Sequence, residues 1–161
     1  MSISQMPPDA RVWVYQSNRR LLDTEIDIIK KSGQLFLKDW AAHGANLRSS
    51  LDVLYNRFVI IAVDEQQALA SGCSIDKSVR FIIDMERQLN IGFFDRMQVA
   101  YRDKNNEIVA CSLSEFEKLA SQKSVGPSTI VFNNIVTTKQ EFETKWEVPL
   151  KQSWQSRVLA S

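Results

Sequence analysis

The sequence predicts an α+β fold: a ferredoxin-like antiparallel sheet with helices on one face, followed by a C-terminal strand–helix extension. Three observations predict it. Across 11–111 the hydrophobic periodicities alternate in the order strand, helix, strand, strand, helix, strand. Phe58–Val63 is apolar without a break, as a central strand covered on both faces requires. Both helical stretches carry one apolar stripe and one polar side, so each needs a single covering surface.

Arg11–Asn18 (RVWVYQSN) is rich in aromatic and β-branched residues and ends in turn formers, hence a strand. Asp23 or Thr24 opens the first helix, with Glu25 and Asp27 in its first turn where the helix dipole favours carboxylates. Ile26, Ile29, Gly33, Phe36, Leu37 and Trp40 form its stripe. Gly33 costs such a helix about 1 kcal/mol against alanine, so a close neighbour is expected there. Gly44 is expected to end this helix, leaving His43 in its last turn.

Leu51–Tyr55 alternates and precedes the apolar run, and Asn56 tolerates positive φ, so a tight hairpin is expected at Tyr55–Arg57. The second helix begins near Ser74, with Ile75, Val79, Ile82, Met85 and Leu89 inward. Asp76, Lys77, Arg80, Asp84 and Arg87 take the wet side. Strands are expected at Met97–Arg102 and Glu107–Cys111 around the polar turn Lys104-Asn105-Asn106. Ser112 with Glu115 caps a third helix, Thr129–Val136 reads as a strand, and Thr137 with Gln140 opens a last helix. The organisation expected is one domain over 1–161: a disordered 1–10, a core at 11–111 and an extension at 112–161.

Twenty basic against nineteen acidic residues among 161, evenly spread, disfavour a chain that works by neutralising phosphates, so no nucleic-acid partner is expected. Trp13, Tyr15 and Phe58 suggest a base-stacking sheet, but Arg57–Ile61 lacks the glycine and ring spacing of that motif. Met1–Pro8 has neither the charged start nor the apolar stretch of an export signal, and no run is long enough for a membrane span. The expectation is therefore a cytoplasmic protein with Cys73 and Cys111 reduced. One histidine and two separated cysteines make a poor zinc set, and Asp64, Glu65 and Asp76 read as solvated charge. No metal or other cofactor is expected.

The segment richest in chemistry is Ser71-Gly72-Cys73-Ser74-Ile75-Asp76-Lys77-Ser78. A helix start presents unpaired N–H groups and partial positive charge, which attract an anion or stabilise a thiolate. It departs from the phosphate-binding pattern G-x-x-x-x-G-K-[ST], because Asp76 stands where the second glycine belongs. A Cys–His pair would have to use His43, the sole imidazole.

The strings RVWVYQSNR, WAAHG, YNRFVIIAVDE, SGCSIDKSV, FDRMQVAYRD, TIVFNNIV and KWEVPLKQSW resemble a family of small bacterial proteins described as ABC transporter ATPases. The resemblance runs from Arg11 to Trp154 and, through the family description, implies ATP binding; neither a Walker A loop nor an LSGGQ-like signature accompanies it. It also marks Trp40 with His43-Gly44, Tyr55-Asn56-Arg57, Ser71–Ser78 and Asp95-Arg96 as the segments whose convergence at one end of the sheet would make a small-ligand or partner site. The expected function is a binding or interaction module for a small anion or a protein partner, without nucleotide hydrolysis. Its expected site comprises Ser71, Gly72, Cys73, Ser74, Asp76, Lys77 and Ser78 with His43, Asn56 and Arg96. The alternative is a thiol-dependent enzyme using Cys73.

Overall fold

In the computed structural model β1 (Arg11–Gln16) leads into α1 (Asp23–Asp39), which is followed by the short strands β2 (Ala41–Ala42) and β3 (Ala45–Asn46). β4 (Arg48–Leu54) and β5 (Phe58–Asp64) then form a hairpin, and α2 (Gly72–Leu89) comes next. The structure describes residues 1–66 and 68–160. The sheet order is β1-β5-β4 with every pair antiparallel; Trp13 and Leu51 both flank Ile61. β5 is buried along its whole length. Its Val59, Ile61 and Val63 share one core with Ile26 and Ile29 of α1 and Phe81, Ile82 and Met85 of α2. Both helices therefore cover the same face.

The β4–β5 turn has positive φ at Tyr55 (55°) and Asn56 (53°), and the Arg57 N–H closes it on the Leu54 carbonyl at 3.1 Å. Two successive positive φ values match the right-handed twist of the flanking strands. Gly33 packs where expected: a Cβ there would lie 2.8 Å from Leu51 Cδ1.

Three strands and two helices thus follow the ferredoxin-like order, but the arrangement stops there. The expected fourth strand beside β1 is β6 (Gln98–Arg102), and it pairs elsewhere. Among the described residues, only Thr137–Thr138 reaches the other edge of β1, where Val12 N–H donates to Thr137 O at 3.0 Å and Arg11 bridges Thr138. Residues Ile3–Gln5 make a 3₁₀ turn, the Ile3 N–H donates to Asp52 Oδ2 at 3.0 Å, and Met6 and Ala10 are buried.

The chain divides into two compact units, Met1–Phe94 with Thr137–Gln140 and Asp95–Val136 with Glu141–Ser161. The sequence predicts one domain over 1–161 with its core ending at 111; the compact units divide at 94–95, 136–137 and 140–141. In the second unit β6 and β7 (Ile108–Ser112) form a hairpin, followed by α3 (Leu113–Ser121) and β8 (Ile130–Phe132); α4 (Lys139–Lys145) has its first two residues in the first unit and the rest in the second, which ends with β9 (Glu147–Pro149) and the 3₁₀ turns after it. The sheet order is β7-β6-β8-β9, again antiparallel. Val99, Phe116, Val131, Leu150 and Val158 build its own core. β6 belongs here because its inward Val99 has these partners. Ser112 caps α3 by accepting the Glu115 N–H, as expected. β8 stops at Phe132 instead of Val136, because the chain turns at 133–136, where the Val136 N–H reaches back to the Asn133 carbonyl at 3.5 Å.

Candidate functional site

β5 ends at Asp64, and its exit is tied down by charge and turns. Arg48 bridges Asp64 at 3.5 Å, Arg11 bridges Glu65 at 3.6 Å, and Glu65 Oε2 accepts the Ala70 N–H at 2.7 Å. α2 then starts at Gly72, earlier than the expected Ser74, because Ser71 and Ser74 cap it reciprocally. Ser71 Oγ accepts the Ser74 N–H at 3.1 Å, and Ser74 Oγ accepts the Ser71 N–H at 2.7 Å. Such a pair satisfies helix-start donors that an anion would otherwise engage.

The expected site residues fall into different surroundings. Gly72, Cys73, Asp76 and Lys77 are exposed, whereas Ser74 and Ser78 are each 1% exposed. Ser78 Oγ donates to the Ile75 carbonyl at 2.6 Å and also hydrogen-bonds the Tyr15 hydroxyl, whose pKa burial pushes up. Both serines belong to the inward face with Phe81, Ile82 and Met85. A hydroxyl that bonds back to its own helix can be buried at little cost.

His43 is not in a helix. α1 ends at Asp39, and His43 and Gly44, with φ of 52° and 79°, form the two-residue turn between β2 and β3. Main-chain pairing in that hairpin takes over where the helix was expected to continue. Trp40 holds this region to the start of α2, its indole N–H donating to the Ser74 carbonyl at 2.8 Å. Asn56 is at the other end of the sheet, since β5 separates its turn from Asp64 by seven residues, about 20 Å of strand. Its carbonyl serves the Leu21 N–H at 2.7 Å. Arg96 lies in the second unit, exposed in the turn before β6. The expected convergence of Asn56 with His43 and the α2 start at one end of the sheet is therefore corrected, because strand register puts them at opposite ends.

What the first unit does form is a shallow groove of about 400 Å³ between α1 and α2. α1 and its cap supply Leu35, Phe36, Asp39 and Trp40; α2 supplies Lys77, Arg80, Phe81 and Asp84. The floor is aromatic. Phe36 stacks on Phe81 at 4.9 Å and 17°, and leans on Trp40 at 5.1 Å. Leu35 stands at the edge, 70% exposed. Among the described residues, no ion pair within 4 Å involves Asp39, Lys77, Arg80 or Asp84. Four charges thus surround apolar rings without being paired to one another.

The second unit has a hollow of about 540 Å³ between the Asp103–Asn106 turn and the loop around Ser124–Thr129. Two of its three charged residues are engaged: Arg102 is bound to Glu147 at 2.9 Å, and Asp103 Oδ1 accepts the N–H groups of Asn105 and Glu107. Burial pushes the Tyr101 hydroxyl pKa up, and the nearby carboxylates of Asp103 and Glu115 add to it.

Of the groove residues the sequence points to Lys77 and, through the family resemblance, Trp40; its periodicity places Phe36 in the core and Arg80 and Asp84 in solvent. The groove runs along the seam between those two faces, and Leu35, one position off the apolar stripe, was the signal for it. Comparison with known protein families, with curated proteins and with solved structures finds no match.

Proposed function

We propose that this protein is a non-catalytic interaction module of the cytoplasm that takes an apolar segment of a protein partner into the groove between α1 and α2. The observation that carries the reading is the combination of stacked Phe36 and Phe81, exposed Leu35 and four charges not paired to one another on one surface. An apolar anchor set in a ring of polar groups is the general build of a protein-binding surface. The groove's shallowness favours a chain segment over a small molecule, which a pocket must largely enclose. The second hollow offers less, because its arginine and its aspartate already have partners within the fold.

Two further observations support a reading without nucleotide hydrolysis. Gly72–Ser78, the stretch closest to a phosphate loop, is helix, so its later N–H groups bond within α2 instead of facing a ligand. Ser71 and Ser74 spend their polar groups on each other.

Selection from a random peptide library displayed on phage tests the proposal. The expected binders carry an aromatic or branched apolar residue beside charge. They lose at least about tenfold in affinity against Leu35→Asp or Arg80→Glu, and nothing against Lys104→Glu in the second unit. Binders indifferent to both groove substitutions overturn it.

A further inference from the structure

The groove has a charge order that identifies one partner. Along α2 its lining residues are Lys77, Arg80, Phe81 and Asp84, spaced so that all lie on one face. The face is positive toward the helix start and negative seven residues on, about 10 Å along the axis. A two-fold axis through the Arg80–Phe81 region reverses the helix and sets Lys77 opposite Asp84 of a second copy, and Asp84 opposite its Lys77. The same rotation places the two helix dipoles antiparallel, the favourable sense. Arg80 lies nearest the axis, beside the Arg80 of the second copy, and Asp39 lines the facing wall of each groove. Leu35 and the outer edge of the Phe36–Phe81 stack supply the apolar part of the contact.

We infer that the groove's occupant is a second copy of this chain, docked about a two-fold axis with reciprocal Lys77–Asp84 pairs. The inference rests on the proposal that the groove is an interaction surface, and it adds the partner. An isologous contact repeats every pair, so one substitution acts twice. Lys77→Asp places two carboxylate–carboxylate contacts in its own dimer, and Asp84→Lys places two ammonium–ammonium contacts. Mixing the two variants restores both opposite-charge pairs in the mixed dimer. So does the exchange of both charges within one chain.

Sedimentation equilibrium over a wide concentration range tests this. The expected results are a reversible monomer–dimer equilibrium for the native chain and at least about tenfold weaker association for each single variant. An equimolar mixture of the two, and the Lys77→Asp/Asp84→Lys chain, regain the native constant. Lys77, Asp84 and Leu35 are exposed, and unchanged circular dichroism will show that the variants fold. A native chain that stays monomeric, single variants that dimerise undiminished, or a mixture that stays monomeric overturns the inference. If the native chain is monomeric while selected peptides still depend on Leu35, self-association alone falls. Peptides indifferent to Leu35 remove the groove reading itself.

Discussion

The indole N–H of Trp40 donates to the main-chain carbonyl of Ser74 at 2.8 Å, with both residues 1% exposed. This bond ties the residue that ends α1 to the first turn of α2, while the ring of Trp40 backs Phe36 under the groove. Trp40→Phe keeps an aromatic ring but removes the second donor to a carbonyl that also lies inside the α2 ladder, and leaves a small void. Together these cost about 1–2 kcal/mol. Urea unfolding checks the loss, and a change below about 0.5 kcal/mol would mean the bond is replaced by another donor.

Gly33 and Leu51 make a second contact that a single substitution tests. Alanine at 33 gains about 1 kcal/mol of helix propensity, but its Cβ would lie 2.8 Å from Leu51 Cδ1 and must push a buried side chain aside. Overpacking of this kind costs about 1–3 kcal/mol, so Gly33→Ala is expected to be destabilising on balance. Shortening the opposing residue, in Gly33→Ala/Leu51→Val, returns part of the loss. The double-mutant cycle therefore gives a favourable coupling, and additive effects refute the close-approach account.

These two contacts also mark what the sequence could convey. A glycine inside an apolar stripe announced a near neighbour, an unbroken run from Phe58 to Val63 announced a strand covered twice, and Asn56 announced a left-handed turn. Each is a local signal with a local cause. The destination of β6 is not local: its alternating pattern suits any half-covered sheet, and only Phe116, Val131 and Leu150, distant in the chain, decide which. The candidate site was legible at Lys77 and Trp40 but not as a groove. Ser74 and Ser78 misled because polarity was taken as exposure, although their hydroxyls are satisfied inside the helix. Asn56 misled because residue type says nothing of which end of a strand a turn occupies.

The two cysteines are expected to separate in reactivity. Cys73 is exposed on the first turn of α2, whereas Cys111 is partly covered, and burial together with the nearby Glu115 carboxylate raises its thiol pKa. Thiolate is the reacting species, so Cys111 is handicapped in both access and ionisation. Limiting iodoacetamide at neutral pH, followed by peptide mass mapping, should modify Cys73 first, with Cys111 following as pH rises or the chain unfolds. Equal labelling of both in the native protein contradicts the burial of Cys111.

Stability toward acid is expected to depend on Glu25. Arg19 grips it with two bonds, Nη1 to Oε1 at 2.8 Å and Nη2 to Oε2 at 2.7 Å, and the Leu22 N–H donates to Oε1 at 2.8 Å. The arginine bonds first, then the backbone donor, lower its pKa from 4.5 to about 2. A carboxylate whose folded pKa is depressed stabilises the fold above its unfolded pKa. That contribution is lost as pH falls from about 4.5 through about 2. The arginine side chain is 42% exposed, so solvent screening holds the pair to about 1 kcal/mol. Glu25→Gln should lower stability by about that amount at pH 7, measured by urea unfolding, and the gap to the native chain should close toward pH 2. Two unfolding curves that stay equally far apart at pH 7 and pH 2 would show that charge at this residue is not what stabilises the start of α1.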